Sequence, residues 1–175
     1  MSIKKILLIR TDRFGEFILN IPVIAAIKEK FNDAEISVLV SPNVEELVIN
    51  NLAITEVIKY DANTQKGTFS TLKIINELKR RKFDLAIILN PQKKFNIVTF
   101  LSGIPIRVGY NRKWPFLLTH RLEDRKYLGE KHEIEYNLDL VRLIGADTKD
   151  KSLYVPIQKQ DEEFVNGIFN EFNLN

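Results

Sequence analysis

Cysteine is absent from all 175 residues. That excludes disulfides, thiolate metal centres and a cysteine nucleophile, and it is compatible with a reducing compartment. Only two histidines occur, His120 and His132, too few for a histidine-based metal site. No D-x-D pair is present, so nothing in the pattern implies a bound metal. No run of about 18 apolar residues exists, and "ILLI" near the N-terminus is far too short for a signal-peptide core. A soluble, cytoplasmic chain is expected. Glycine is also scarce, with seven residues and no G-x-G-x-x-G or G-x-x-x-x-G-K-[ST] arrangement, so nucleotide binding through such a loop is unsupported.

What is present is enough apolar material, 45% of the residues, to bury one sizeable core, and one domain is the default at this length. The net charge is only +3, yet it is unevenly spread. Between Lys93 and Lys131 stand nine basic residues (Lys93, Lys94, Arg107, Arg112, Lys113, Arg121, Arg125, Lys126, Lys131) against three acids (Glu123, Asp124, Glu130), which leaves the remainder net negative. Such a segment is either a solvated surface or an attractor of phosphates, nucleic acid or an acidic membrane.

The run "IKKILLIR" has the continuous apolar character of a strand buried on both faces. After a loop at residues 10–16, apolar residues recur at helical spacing from Phe17 to Phe31. There Pro22 implies either a kink or a helix that starts late, near Ile21 with Asn20 as cap. Strands are expected over 35–41, 56–60, 83–89 and 106–110, with helices over 42–51, 69–81 and 95–103, the last closed by Gly103. The pattern loosens after Tyr110, resumes as a helix over 133–143 stopped by Gly145, and continues through an extended "SLYVPI" to a helix over 161–172. This alternation is the signature of an α/β, Rossmann-like, doubly wound and mostly parallel sheet. Ligands bind such sheets at the carboxyl ends of the strands, where residues 10–16, 41–44, 90–94 and 109–113 collect.

With these elements placed, "FGEFILNIPVIAAIKEKF", "FDLAIILNPQKK" with "GIPIRVGY", and "HEIEYNLDLVRLIG" follow one another in an order that resembles the N-terminal half of the bacterial heptosyltransferases, glycosyltransferase family 9. The likeness runs over residues 3–157. It implies a two-domain enzyme of the GT-B type, with an acceptor-binding domain at 1–157 and a helix or linker at 158–175. The nucleotide-sugar donor, ADP-heptose, would be held mainly by a C-terminal half outside these residues. No cofactor is implied. The implied acceptor is an anionic, lipopolysaccharide-core-type glycolipid, with peripheral contact to the cytoplasmic face of the inner membrane and no nucleic acid.

The resemblance also bears on single residues. Glu16 matches the family's catalytic base, usually aspartate; glutamate places the carboxylate roughly 1 Å further out, a displacement that can cost on the order of a hundredfold in rate. Read without the family, Glu16 complements a helix dipole. Asp12 is the rival acid, as a turn former, a partner of Arg10 or Arg13, or a substrate contact. Gly15 reads as a tight turn or a place for close ligand approach. Lys94 matches a basic family position suited to anionic acceptor groups, and otherwise reads as solvated. Asn111 and Arg112 follow a strand end and are placed to reach a cleft. His132 matches a family position, and otherwise caps a helix. Trp114 and Pro115 form a basic loop suited to lipid headgroups, to covering the cleft or to core packing. The leading expectation is therefore an acceptor-binding domain with Glu16 as base and Asp12, Arg13, Gly15, Lys94, Asn111, Arg112 and His132 as substrate contacts. The alternative is a non-catalytic Rossmann-like module whose 93–131 segment binds nucleic acid or anionic lipid.

Overall fold

The computed structural model describes residues 2–172. Six parallel strands, β1 (Lys5–Arg10), β2 (Glu35–Val40), β3 (Glu56–Lys59), β4 (Leu85–Ile88), β5 (Ile106–Tyr110) and β6 (His120–Leu122), form one sheet in the order β3-β2-β1-β4-β5-β6. The order reverses between β1 and β4. That is the crevice where the doubly wound architecture opens to ligands.

Alternate residues of β1 serve opposite faces, as the pleat requires. Ile6 and Leu8 join Ile36, Val38 and Val40 of β2 in one core, whereas Leu7 and Ile9 join Leu39, Ile75 and Leu78 in the other. Helices α1 (Phe14–Ile18), α2 (Ile21–Lys30), α3 (Glu45–Val48) and α6 (Glu133–Arg142) contribute to the first core; α4 (Gly67–Arg81) and α5 (Lys93–Leu101) contribute to the second. Helix α7 (Lys159–Glu171) buries no residue. The segment before it joins no strand, and its Val155 packs against the first core.

Pro22 marks a late start rather than a kink. The chain breaks at Leu19–Asn20, and Pro22 occupies the first turn of α2, where its missing N–H is no loss. The preceding five residues form a separate helix, so Gly15 and Glu16 are helical rather than loop residues. Gly103 takes a left-handed φ of 75° after α5, as expected of a residue that closes a helix. The element not foreseen is β6, three largely exposed residues, "HRL", with no apolar alternation. At a sheet edge a polar strand of this length is readily accommodated, and its arginine opposes pairing with another chain.

Candidate functional site

Arg10 is the last residue of β1 and is 96% buried, its side chain being only 4% exposed. A guanidinium so placed must spend its donors within the protein. Its Nε donates to Asp12 Oδ1 at 2.7 Å, its Nη2 to Glu16 Oε2 at 2.8 Å and its Nη1 to the Leu89 carbonyl at 3.3 Å. One cation thus holds both acids of the first βα connection and ties them to the end of β4. The acids keep partial access to water, 31% for Asp12 and 40% for Glu16. Among the described residues, Glu16 Oε1 makes no side-chain hydrogen bond.

Two further bonds set the loop. Ser41 Oγ donates to the Asp12 carbonyl at 3.1 Å, and Gln92 Nε2 donates to Thr11 Oγ1 at 3.1 Å. The ends of β1, β2 and β4 are thereby laced together around the crevice. A cavity of about 340 Å³ opens there, lined by Arg10, Asp12, Arg13, Glu16, Leu89, Asn90, Pro91, Lys126 and Glu133. Arg13 is exposed and makes no ion pair among the described residues. Lys126 is fixed by Glu133 and by Asn137 Oδ1 at 3.0 Å, and its ammonium lies 4.9 Å from the centroid of the Tyr110 ring. Burial pushes the Tyr110 phenol well above its ordinary range, so it stays neutral and donates to the Tyr136 carbonyl at 2.9 Å. Asn90 is buried, and its Oδ1 has no hydrogen-bond partner among the described residues. Leaving such an atom unpaired costs about 1–3 kcal/mol, which a ligand hydroxyl would recover.

A larger groove, about 710 Å³, runs along α4 between Phe69 and Arg81. It is lined by one helix, away from the switch point. Chemistry and topology both place the site in the smaller cavity.

The sequence-derived candidates divide accordingly. Glu16, Asp12 and Arg13 line the cavity together, with Gly15 beside them in α1. Gly15 needs no special backbone, and a Cβ added there would meet nothing within 4 Å; the tight-turn reading is corrected, while open space for a ligand remains. Asp12 is the partner of Arg10 rather than of Arg13. Lys94 does not line the cavity. Its Nζ donates to Tyr60 Oη at 2.5 Å and to the Gln65 carbonyl at 3.1 Å, pinning the loop after β3. Arg112 lies outside too, paired with Asp124 at 2.7 Å, and the Asn111 backbone N–H is bonded to Leu122 beside it. His132 caps α6, its Nδ1 accepting from the Ile134 N–H at 3.3 Å.

Sequence reasoning missed Asn90, Lys126 and Glu133. Asn90 lies just beyond β4, in the 90–94 stretch expected at the carboxyl edge, but sequence reasoning does not single it out there. Lys126 comes from the segment where periodicity fails and Glu133 opens the helix that follows it, and only the fold brings them to Glu16. Much of the basic excess is also spent internally. Arg112, Arg125, Lys126 and Lys131 are ion-paired, Arg107 donates to the carbonyls of Leu117 and Ile104, and Lys94 donates to Tyr60 and the Gln65 carbonyl, which leaves Lys93, Lys113 and Arg121 with neither an acid partner nor a side-chain hydrogen bond among the described residues.

No protein-family model matches the chain. A Haemophilus influenzae protein named "Putative glycosyltransferase" is 32% identical over 140 residues, covering 79% of this chain and 40% of that protein. A family 9 glycosyl transferase structure from Veillonella parvula superposes with a TM-score of 0.80 at 21% identity, covering all of this chain and 51% of that one. E. coli ADP-heptose lps heptosyltransferase II gives 0.72 at 18% identity over 98% of this chain and 51% of that one. E. coli heptosyltransferase WaaC, with ADP-2-deoxy-2-fluoro heptose, gives 0.66 at 12% identity over 85% and 52%. The chain therefore spans about half the length of the proteins it matches. By sequence it is a relative of the glycosyltransferases, and it carries the fold of one half of the family 9 heptosyltransferase structures.

Proposed function

We propose that this chain is the acceptor-binding half of an inverting glycosyltransferase and that Glu16 is its catalytic base. The observation that carries the reading is a half-exposed glutamate held by a buried arginine in a cavity at the switch point of the sheet. A base needs a fixed direction and a free lone pair. Arg10 occupies Oε2, which leaves Oε1 to receive a proton.

In the proposed reaction an acceptor hydroxyl oxygen attacks the anomeric carbon of the donor sugar. Its proton passes to Glu16, and the bond from the anomeric carbon to the diphosphate oxygen breaks on the opposite face. The electron pair leaves with the nucleoside diphosphate. ADP-heptose as donor, and an anionic glycolipid of the lipopolysaccharide-core type as acceptor, are the finer parts of the proposal; they are supported by the names and ligand of the E. coli structures. Arg13, unpaired at the rim, is assigned to an anionic group of the acceptor, and Asn90 to a sugar hydroxyl. Lys94, Arg112 and His132 are given supporting rather than contacting roles because their side chains are engaged elsewhere, and Asn111 because it does not line the cavity. The proposed setting is the cytoplasm; no helix among the described residues is long and apolar enough to cross a membrane.

The test is Glu16→Gln in a polypeptide that joins these residues to a donor-binding half. Glutamine keeps an oxygen for Arg10 but cannot take the proton. Transfer should fall by on the order of a hundredfold or more while acceptor affinity holds. Activity within tenfold of wild type removes Glu16 from the role.

A further inference from the structure

Four large apolar side chains stand exposed along one flank of the sheet, and one of them, Trp114, is held there at a conformational cost. Helix α5 turns Lys93, Ile97, Phe100 and Leu101 to a single stripe, at the i, i+4, i+7, i+8 spacing of one helical face. Lys93 is exposed, as are Phe100 and Leu101, which are about half accessible. Beside the stripe, the loop after β5 projects Trp114, 45% exposed, and Phe116, 68% exposed, stacked with centroids 5.8 Å apart. The Lys93 ammonium lies 3.7 Å from the centre of the indole, and Arg107 covers the Phe100 ring while donating to the Leu117 carbonyl. The aromatic and cationic groups form one continuous ledge.

This ledge is built rather than incidental. Lys113 and Trp114 both adopt left-handed backbone conformations, φ 55° and 70°, which residues with side chains disfavour. The conformation is held from beneath by Asn96, buried in α5, whose Nδ2 donates to the Lys113 carbonyl at 2.9 Å and the Arg112 carbonyl at 3.4 Å. A buried amide spends its hydrogen bonds to keep the only tryptophan of the chain on the surface. Lys93 and Lys113, two basic residues of the 93–131 segment with neither an acid partner nor a side-chain hydrogen bond among the described residues, belong to the same ledge.

We infer that this ledge is a docking surface for an anionic lipid bilayer. Tryptophan and phenylalanine beside uncompensated lysines match both layers of such a surface, aromatic bodies at the headgroup boundary and cations against acidic phosphates. Charge complementarity selects this partner over a second copy of the chain, which would bring like charges together. Single-stranded nucleic acid asks for free aromatic faces along a basic groove, whereas this indole is already stacked on Phe116 and covered by Lys93. The inference deepens the proposed function, since the same α5 begins at the carboxyl edge beside the cavity and a lipid-anchored acceptor would meet the site from this flank.

Trp114 is also the only indole reporter. The chain as it stands is titrated with vesicles of phosphatidylcholine alone and with vesicles containing a third phosphatidylglycerol, following tryptophan emission and co-sedimentation. Anionic vesicles should shift the emission to shorter wavelength and sediment the protein, and the effect should weaken with salt. Phe116→Ser and Lys93→Glu, each checked for native circular dichroism, should each lower the partition coefficient by on the order of tenfold. Glu16→Gln should leave it unchanged, which separates this test from that of sugar transfer. The inference is overturned by an absent shift with anionic vesicles, by an equal shift with neutral ones, by tighter binding of single-stranded nucleic acid at the same salt, or by a dimeric chain whose emission is already blue without lipid.

Discussion

Arg10 and Glu16 are joined at 2.8 Å across six residues, the arginine almost wholly buried and the glutamate 40% exposed. The pair divides its labour by burial. The cation is a fixed part of the fold, satisfied on three sides, while the acid keeps one oxygen for chemistry. Glu16 is therefore aimed by β1 and β4, although the helix it belongs to is only five residues long.

Arg10→Met should accordingly destabilise the chain by about 3 kcal/mol, because it leaves two carboxylates facing each other and a buried carbonyl without its donor. Glu16→Gln should cost less than about 1 kcal/mol. Urea unfolding followed by circular dichroism separates them. Equal effects would mean that Arg10 is not the structural anchor of the site.

Gly15 gives a second contrast. Its backbone is helical and its surroundings are open, so Gly15→Ala should be neutral or stabilise by about 0.4–1 kcal/mol through the unfolded state. Were the open space there for a ligand, the same methyl group should weaken acceptor binding at least severalfold by calorimetry. A variant that is more stable and binds as tightly as wild type would return Gly15 to a merely local role.

Lys94, expected from the resemblance as an acceptor contact, lies outside the cavity, and Lys126, not singled out from sequence, lines it. Lys94→Met should loosen the Tyr60–Gln65 loop and lower Tm without changing acceptor affinity, because the ammonium never faces the cavity. Lys126→Met removes a cation from the cavity wall and leaves Glu133 unneutralised, so affinity for an anionic acceptor fragment should fall on the order of tenfold. Melting curves beside calorimetric titrations decide it; the reverse pattern would restore Lys94 to the site.

The fold was largely legible because its signals are local. "KILLIR" and "LAII" are buried on both faces, so their composition announces them, and Gly103 marks a helix end by a backbone rule that acts within a few residues, whereas Pro22 leaves a kink and a late start equally open until α1 and α2 are seen as separate helices. Glu16 and Asp12 were legible for the same reason, as acids at the carboxyl end of the first strand. Lys94 misled because the resemblance offered it as an acceptor contact, whereas its ammonium is spent on partners 34 and 29 residues away that no local pattern shows. Lys126 lies in a stretch held by ion pairs and short turns, which carry no period, and Glu133 opens a helix that is readable in itself but not in what it faces. Their place beside Glu16 is set by how α6 packs, a long-range fact.

The sheet's far edge offers a test of the electrostatics that hold the fold. Arg81, at the end of α4, grips Glu56 of β3 through Nη2 at 2.7 Å and Nε at 3.1 and 3.2 Å. That hydrogen bond, opposed in part by burial and aided by the arginine's charge and by Ser37, holds the Glu56 carboxyl below its ordinary value of 4.5. A carboxylate whose folded value is depressed binds its proton more readily when unfolded, so its contribution is fully present above 4.5 and is lost as pH falls through the lower, folded value. Glu56→Gln should therefore lower Tm at pH 7, where the ion pair is intact. Below 4.5 the gap should narrow, because the protonated glutamate becomes as neutral as the glutamine. Melting curves at matched ionic strength from pH 7 to pH 3 measure that gap, and one that stays constant throughout would mean the pair contributes through packing alone.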